Sequence, residues 1–220
     1  MKERPILFSG PMVCAILEGR KTQTRRVVKF QRGFNEKGNV RVSGDMWQVS
    51  AGQYNVWSDP FSCPYGVAGD RLWVRETWAP SVKAPLCQVA YAADGRCYGI
   101  GGNGCGNNFH IFHGWLVDSA VRGDKPGDTF GRSLYEKWRP SIHMPRWASR
   151  LTLEITDVRV ERLQSISEDD AKAEGVDEMC VLPGDQGSFI QPYAALWESI
   201  NGPGSWNANP WVWVVEFKQI

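Results

Sequence analysis

The chain has 220 residues, 42% hydrophobic and 22% charged, with a formal net charge of +1. That composition suits one globular domain with insertions and excludes a polycation. No uncharged apolar stretch reaches the roughly 20 residues of a membrane-spanning helix, and Met1-Lys2-Glu3-Arg4-Pro5 leads into too short an apolar run for a secretory signal, so a cytoplasmic protein is expected.

In chain order, Pro5-Ile6-Leu7-Phe8 predicts a short strand. Ser9 reads as an N-cap and Pro11 as an early helical position, opening a short helix with Met12, Ile16 and Leu17 on one face and Gly19 at its end. Gly19 to Arg26 is expected as a loop running into a strand at Val27-Val28. Residues 31 to 66 are rich in Gly, Ser, Asn and Pro and read as a hairpin or long insertion. Gly69-Asp70 signals a turn before a strand over 71 to 78. Residues 86 to 93 suggest another strand. From 94 to 140 the chain holds many Gly and Asn and few periodic runs, a second long insertion. Pro145 to Ala148 predicts a helical turn. Leu151, Leu153 and Ile155 then alternate with polar residues as a strand, and Val158 and Val160 continue it out of phase, which fits a bulge or a bend. Ser167-Glu168-Asp169-Asp170 fits a capping box, opening a helix that Gly175 closes. A helix from about 189 to 200 and a buried strand over 210 to 217 complete the chain. The organisation is α+β, a single domain over 1–220. It predicts a mixed, partly closed β-barrel with short flanking helices and insertions at about 31–66 and 94–140.

Charge is uneven within this frame. In the first 32 residues Lys2, Arg4, Arg20, Lys21, Arg25, Arg26, Lys29 and Arg32 face only Glu3 and Glu18, a patch suited to phosphate or another anion; the ordinary alternative is a solvated surface. Cys97, Cys105, His110 and His113 form a C-x7-C-x4-H-x2-H series that lacks the close pairs of a zinc site, so no metal and no cofactor is expected. The six cysteines are widely spread, and reduced thiols are the default. Eleven tryptophans are many for this length. Trp73, Trp211 and Trp213 lie in strand-like runs and read as core, with one or two others left to stack on a base. No phosphate-binding G-x4-G-K-[ST] loop, G-x-S-x-G elbow or H-E-x-x-H pair occurs.

The run Gly19-Arg20-Lys21-Thr22-Gln23-Thr24-Arg25-Arg26 resembles the signature G-x-K-x-x-T-x-R of the ASCH family, placed as there after the first helix. Gly69-Asp70-Arg71-Leu72-Trp73-Val74 is similar to that family's G-D-x-L-x-V strand. Ile166 to Gly175 resembles its helix after the long strand, and Val214-Val215-Glu216-Phe217-Lys218 its closing strand. These blocks cover about half the chain, and the two insertions have no counterpart in compact bacterial members. The resemblance extends to ASCH proteins of phages and prophages. It implies a PUA-like barrel. Through the compact members, which are N(4)-acetylcytidine amidohydrolases, it implies a modified nucleoside or nucleobase as partner. Their active lysine, threonine and glutamate correspond to Lys21, Thr24 and Glu174, with Glu168 and Glu178 as other choices for the carboxylate.

Amide hydrolysis needs a nucleophile, a base to activate it and an acid for the leaving nitrogen. A threonine hydroxyl needs a neighbouring base, and a lysine serves only if burial or nearby cations favour its neutral form. Arg20, Arg25 and Arg26 flank Lys21 accordingly. Glu174 falls in the last turn of its helix, where the dipole disfavours a carboxylate by about 0.3–1 kcal/mol; an exposed glutamate tolerating that cost is the ordinary alternative. Glu76 is a candidate for accepting hydrogen bonds from a base edge, or else half of a cross-strand ion pair. Arg26 is a candidate for a phosphate or acyl oxygen. Asn207 and Asn209 precede the last strand and offer amides to a base, although Asn-Pro is also an ordinary turn. The expected activity is removal of an acyl group from N(4) of a cytosine derivative; the alternative is an RNA- or DNA-binding module without catalysis.

Overall fold

A computed structural model describes residues 1–29, 38–50, 57–80, 89–94, 137–176 and 188–220, and the backbone of 97–98. Among these residues the first strands are β1 (Glu3–Leu7), β2 (Gln23–Val27), β3 (Val40–Ser43), β4 (Met46–Val49) and β5 (Arg71–Arg75). The later ones are β6 (Trp78–Pro80), β7 (Val89–Tyr91), β8 (Cys97–Tyr98), β9 (Thr152–Arg162) and β10 (Trp211–Gln219). The helices are α1 (Gly10–Leu17), α2 (Glu168–Ala173) and α3 (Ile190–Asn201). None of the helices is long and apolar enough to cross a membrane.

Five strands form one sheet in the order β1-β5-β9-β10-β2; β3 and β4 form a hairpin; β6, β7 and β8 form a third sheet. The fold is mixed α+β, and none of these described sheets closes into a barrel. The chain divides into two compact units. The first is Met1–Arg4, Glu18–Leu72 and Leu153–Ile220; the second is Pro5–Leu17 and Trp73–Thr152.

In the first unit β10 is central, between β9 and β2, both antiparallel to it. Its continuous apolar run is what a strand covered on both faces requires. Val212 and Val214 pack with Leu163, Ala171, Tyr193 and Trp197 under α2 and α3. Trp213 instead meets the Trp47 ring edge-on at 4.7 Å and Phe61 at 5.9 Å. The phase change in β9 is a bulge: Glu216 opposes Asp157 and Phe217 opposes Ile155, leaving Thr156 without an opposite number.

Two elements differ from expectation. The segment predicted as a loop holds β2, whose Thr24 opposes Val215 and whose Arg26 opposes Trp213. Its partner strand lies at the other end of the chain, so no local pattern announces the pairing. The predicted strand over 71–78 is split into β5 and β6, because at Glu76 the backbone N–H turns to the Met144 Sδ, 3.4 Å away. Within the predicted insertion at 31–66, the described part contains the β3–β4 hairpin, Val40 opposite Val49. Most of the 94–140 insertion lies outside the described residues.

Candidate functional site

The site begins where β2 meets the end of α2. Ser167 caps α2 by accepting from the Asp170 N–H at 3.1 Å, and Asp170 returns its carboxylate to the Ser167 N–H, so the acidic first turn is fixed. Glu174 follows α2 with helical φ −71° and ψ −6°, and Gly175 takes the left-handed φ of 84° that ends it. Lys21 forms an isolated antiparallel bridge with Glu174. Next to it the Thr22 N–H donates to the Ala173 carbonyl at 2.8 Å, while the Thr22 carbonyl accepts from the Phe217 N–H at 2.8 Å. Thr22 thus ties the end of α2 to β10 at the start of β2.

The Lys21 ammonium donates to the Glu174 carbonyl at 2.7 Å and to Glu174 Oε2 at 2.8 Å. Both side chains are buried, at 0% and 4% exposure. The other carboxylate oxygen, Oε1, faces Arg25 Nη1 at 3.4 Å. Arg25 is equally enclosed; its Nη2 lies 3.1 Å from Asp170 Oδ2 and 3.4 Å from Glu161 Oε2. Arg159 joins the same carboxylates, at 3.1 Å from Asp170 and 2.6 Å from Glu161, and also pairs with Glu216. Burial pushes the Lys21 amine below its usual value; the Glu174 charge opposes this, and Arg26 and Arg25 add to it. Favouring the neutral amine leaves Lys21 able to accept a proton, which is what a general base requires.

Lys21 and Glu174 are therefore brought together. Within β2, Gln23 and Arg25 point toward α2, with the Gln23 Nε2 donating to the Asp170 carbonyl at 2.9 Å. Strand alternation turns Thr24 and Arg26 to the opposite face; Thr24 is buried and Arg26 half-buried. Glu76 belongs to the second unit. It is 1% exposed and held by Arg150 Nε and Nη2, each at 2.9 Å, while Arg150 Nη1 reaches Asp94 at 2.8 Å. Burial raises the Glu76 carboxyl, against the pull of Arg150. Asn209 takes a left-handed φ of 43°, and its Oδ1 accepts from the Gln164 N–H at 2.9 Å, tying the turn before β10 to the end of β9. Of the other carboxylates weighed, Glu168 accepts from Ser188 Oγ at 2.7 Å and from the Phe189 N–H at 2.6 Å, ahead of α3. Glu178 lies outside the described residues, as do Cys105, His110, His113 and the Cys97 side chain.

Sequence reasoning set Arg25 beside Lys21 but missed its contact with Glu174, and missed Asp170, Glu161 and Arg159 as members of this cluster. The signal was parity: once β2 is a strand, positions 23 and 25 share a face. Among the described residues no group of three or more His, Cys, Asp and Glu side chains is arranged to hold a metal ion. No family model, curated protein or solved structure matches the chain.

Proposed function

We propose that this chain is a cytoplasmic, metal-independent amidohydrolase of the ASCH type that removes an acyl group from N(4) of cytidine or a related cytosine derivative. The five-stranded sheet would then correspond to part of a PUA-like barrel. The observation that carries the reading is the enclosed Lys21–Glu174 pair, whose carboxylate is shared with Arg25. The signature lysine meets the glutamate at the end of the following helix, and burial favours the neutral amine that a base requires.

In the proposed reaction the neutral Lys21 amine takes the Thr24 hydroxyl proton as Thr24 Oγ attacks the acyl carbonyl carbon. Thr24 is buried, and this reaction requires its hydroxyl to come within hydrogen-bond reach of the Lys21 amine. The tetrahedral intermediate collapses with cleavage of the C–N(4) bond, and the Lys21 ammonium returns its proton to N(4), releasing the cytosine amine. Water, deprotonated in turn by Lys21, attacks the threonine ester; the acyl C–Oγ bond breaks, the Lys21 ammonium returns the proton to Thr24 Oγ, and the carboxylic acid leaves. Glu174 holds the ammonium between steps, and Arg26 is the candidate for the acyl oxygen.

The test is an ultraviolet assay of N(4)-acetylcytidine hydrolysis. Wild type is expected to release cytidine, Lys21→Met and Thr24→Ala to lose at least about a hundredfold in rate, within the usual range for general base catalysis, and Thr24→Ser to retain turnover. Full activity in Lys21→Met would sink the assignment; full activity in Thr24→Ala would replace the threonine with water as nucleophile.

A further inference from the structure

We propose that the surface formed by residues 137 to 147 in the second unit binds single-stranded nucleic acid, with Trp147 stacking on a base and Lys137, Arg139 and Arg146 on phosphates. The fourteen residues from Lys137 to Arg150 include four Lys and Arg and His143, and no Asp or Glu. The second unit as a whole has ten Lys and Arg against six Asp and Glu, although the chain is nearly neutral.

Folding sorts this segment. Two single 3-10 turns, Ser141–His143 and Arg146–Ala148, bury Met144 and Ala148 against Trp78, Val89 and Tyr91. Lys137, Arg139, His143 and Arg146 are left exposed, and Trp147 is 57% exposed. That exposure is large for an indole, while its T-shaped contact with Trp78 at 5.7 Å fixes the ring. Arg139 lies 5.3 Å from the Trp78 ring centre and Arg146 6.0 Å from that of Trp73, so aromatic rings orient both guanidinium groups. Beside them opens a cavity of about 690 Å³ lined by Lys137, Trp138, Arg139, Pro140 and His143, within the range that takes a small ligand. The Trp138 indole N–H beside this cavity is buried without a hydrogen-bond partner among the described residues.

Cations recognise phosphate, and an exposed indole accepts any base through its π face. A duplex hides those faces inside its stack, which is why the partner is single-stranded. An acidic peptide would satisfy the charges and leave Trp147 without a role. The proposal is independent of the hydrolase reading, since binding is measured without turnover.

The experiment is fluorescence anisotropy of the full chain with labelled single-stranded RNA, single-stranded DNA and a duplex, from about 50 mM salt upward. Single strands are expected to bind, with log K falling by roughly 0.7 per phosphate contacted for each decade of salt, and the tighter strand identifies the natural source. Trp147→Ala should weaken binding roughly tenfold and Trp147→Phe restore most of it. Arg139→Gln with Arg146→Gln should flatten the salt dependence. Absence of binding at low salt overturns the proposal. So does a duplex bound as tightly as the single strands, polyglutamate competing as well as an oligonucleotide, or unchanged affinity in Trp147→Ala.

Discussion

Glu174 offers one carboxylate oxygen to Lys21 and the other to Arg25, so its two neighbours answer differently to mutation. A buried pair that loses one partner leaves a charge without compensation, typically costing about 3–5 kcal/mol. Lys21→Met should lie near the lower end, about 3 kcal/mol, because Glu174 keeps Arg25. Adding Glu174→Gln should recover much of that loss while leaving turnover absent, and urea unfolding of the two variants beside an activity assay separates the effects. The pH dependence has a definite sign. The folded protein releases the Lys21 proton below the ordinary value of 10.5, so the unfolded chain binds more protons between the lowered value and 10.5. Stability from this group is complete above 10.5 and is lost as pH falls through the lowered value. Stability measured from pH 7 to 10 should therefore rise less steeply with pH in Lys21→Met than in wild type.

At the scale of elements, the Gly69-Asp70 turn shows what a local motif can specify. Asp70 Oδ1 accepts from the Lys2 N–H at 2.6 Å and Oδ2 from Arg4 Nη1 at 2.8 Å, which clamps β1 to the start of β5. Gly66 closes the clamp with a left-handed φ of 126°, and a Cβ there would stand 2.7 Å from Arg4 Nη1 and 2.9 Å from Asp70 Oδ2. The Lys2 N–H and then the Arg4 side chain hold the Asp70 carboxyl below its ordinary 3.8. Its contribution to stability is present above 3.8 and lost as pH falls through the depressed value. Asp70→Asn should cost about 1–3 kcal/mol at neutral pH, a deficit that urea titration should find vanishing in strong acid. This turn, the Ser167 capping box and the Gly175 stop were legible because each is written within four residues. The pairing of β2 with β10 was not, since register between distant segments leaves no local trace. Arg25 was legible as a charge beside Lys21, but not as a fully enclosed side chain shared among the α2 and β9 carboxylates.

Across the whole molecule, net charge conceals where charge is used. Of the eight cations in the first 32 residues, Arg4, Arg20, Lys21 and Arg25 pair with Asp70, Glu18, Glu174 and the α2–β9 carboxylates. The basic run that reads as an anion patch is thus largely engaged within the protein, whereas the second unit carries a positive excess with tryptophans set among it. Arg20→Gln should accordingly leave the salt dependence of nucleic-acid binding unchanged, in contrast to changes at Arg139 and Arg146. The central claim concerns the enclosed lysine, and the most direct test is the pH dependence of N(4)-acetylcytidine hydrolysis by the full chain. The rate should rise with pH along a limb whose midpoint lies below 10.5, and Arg25→Gln, which removes a cation beside Lys21, should move that midpoint upward. Absence of hydrolysis, or a limb that stays in place in Arg25→Gln and persists in Lys21→Met, would contradict the account.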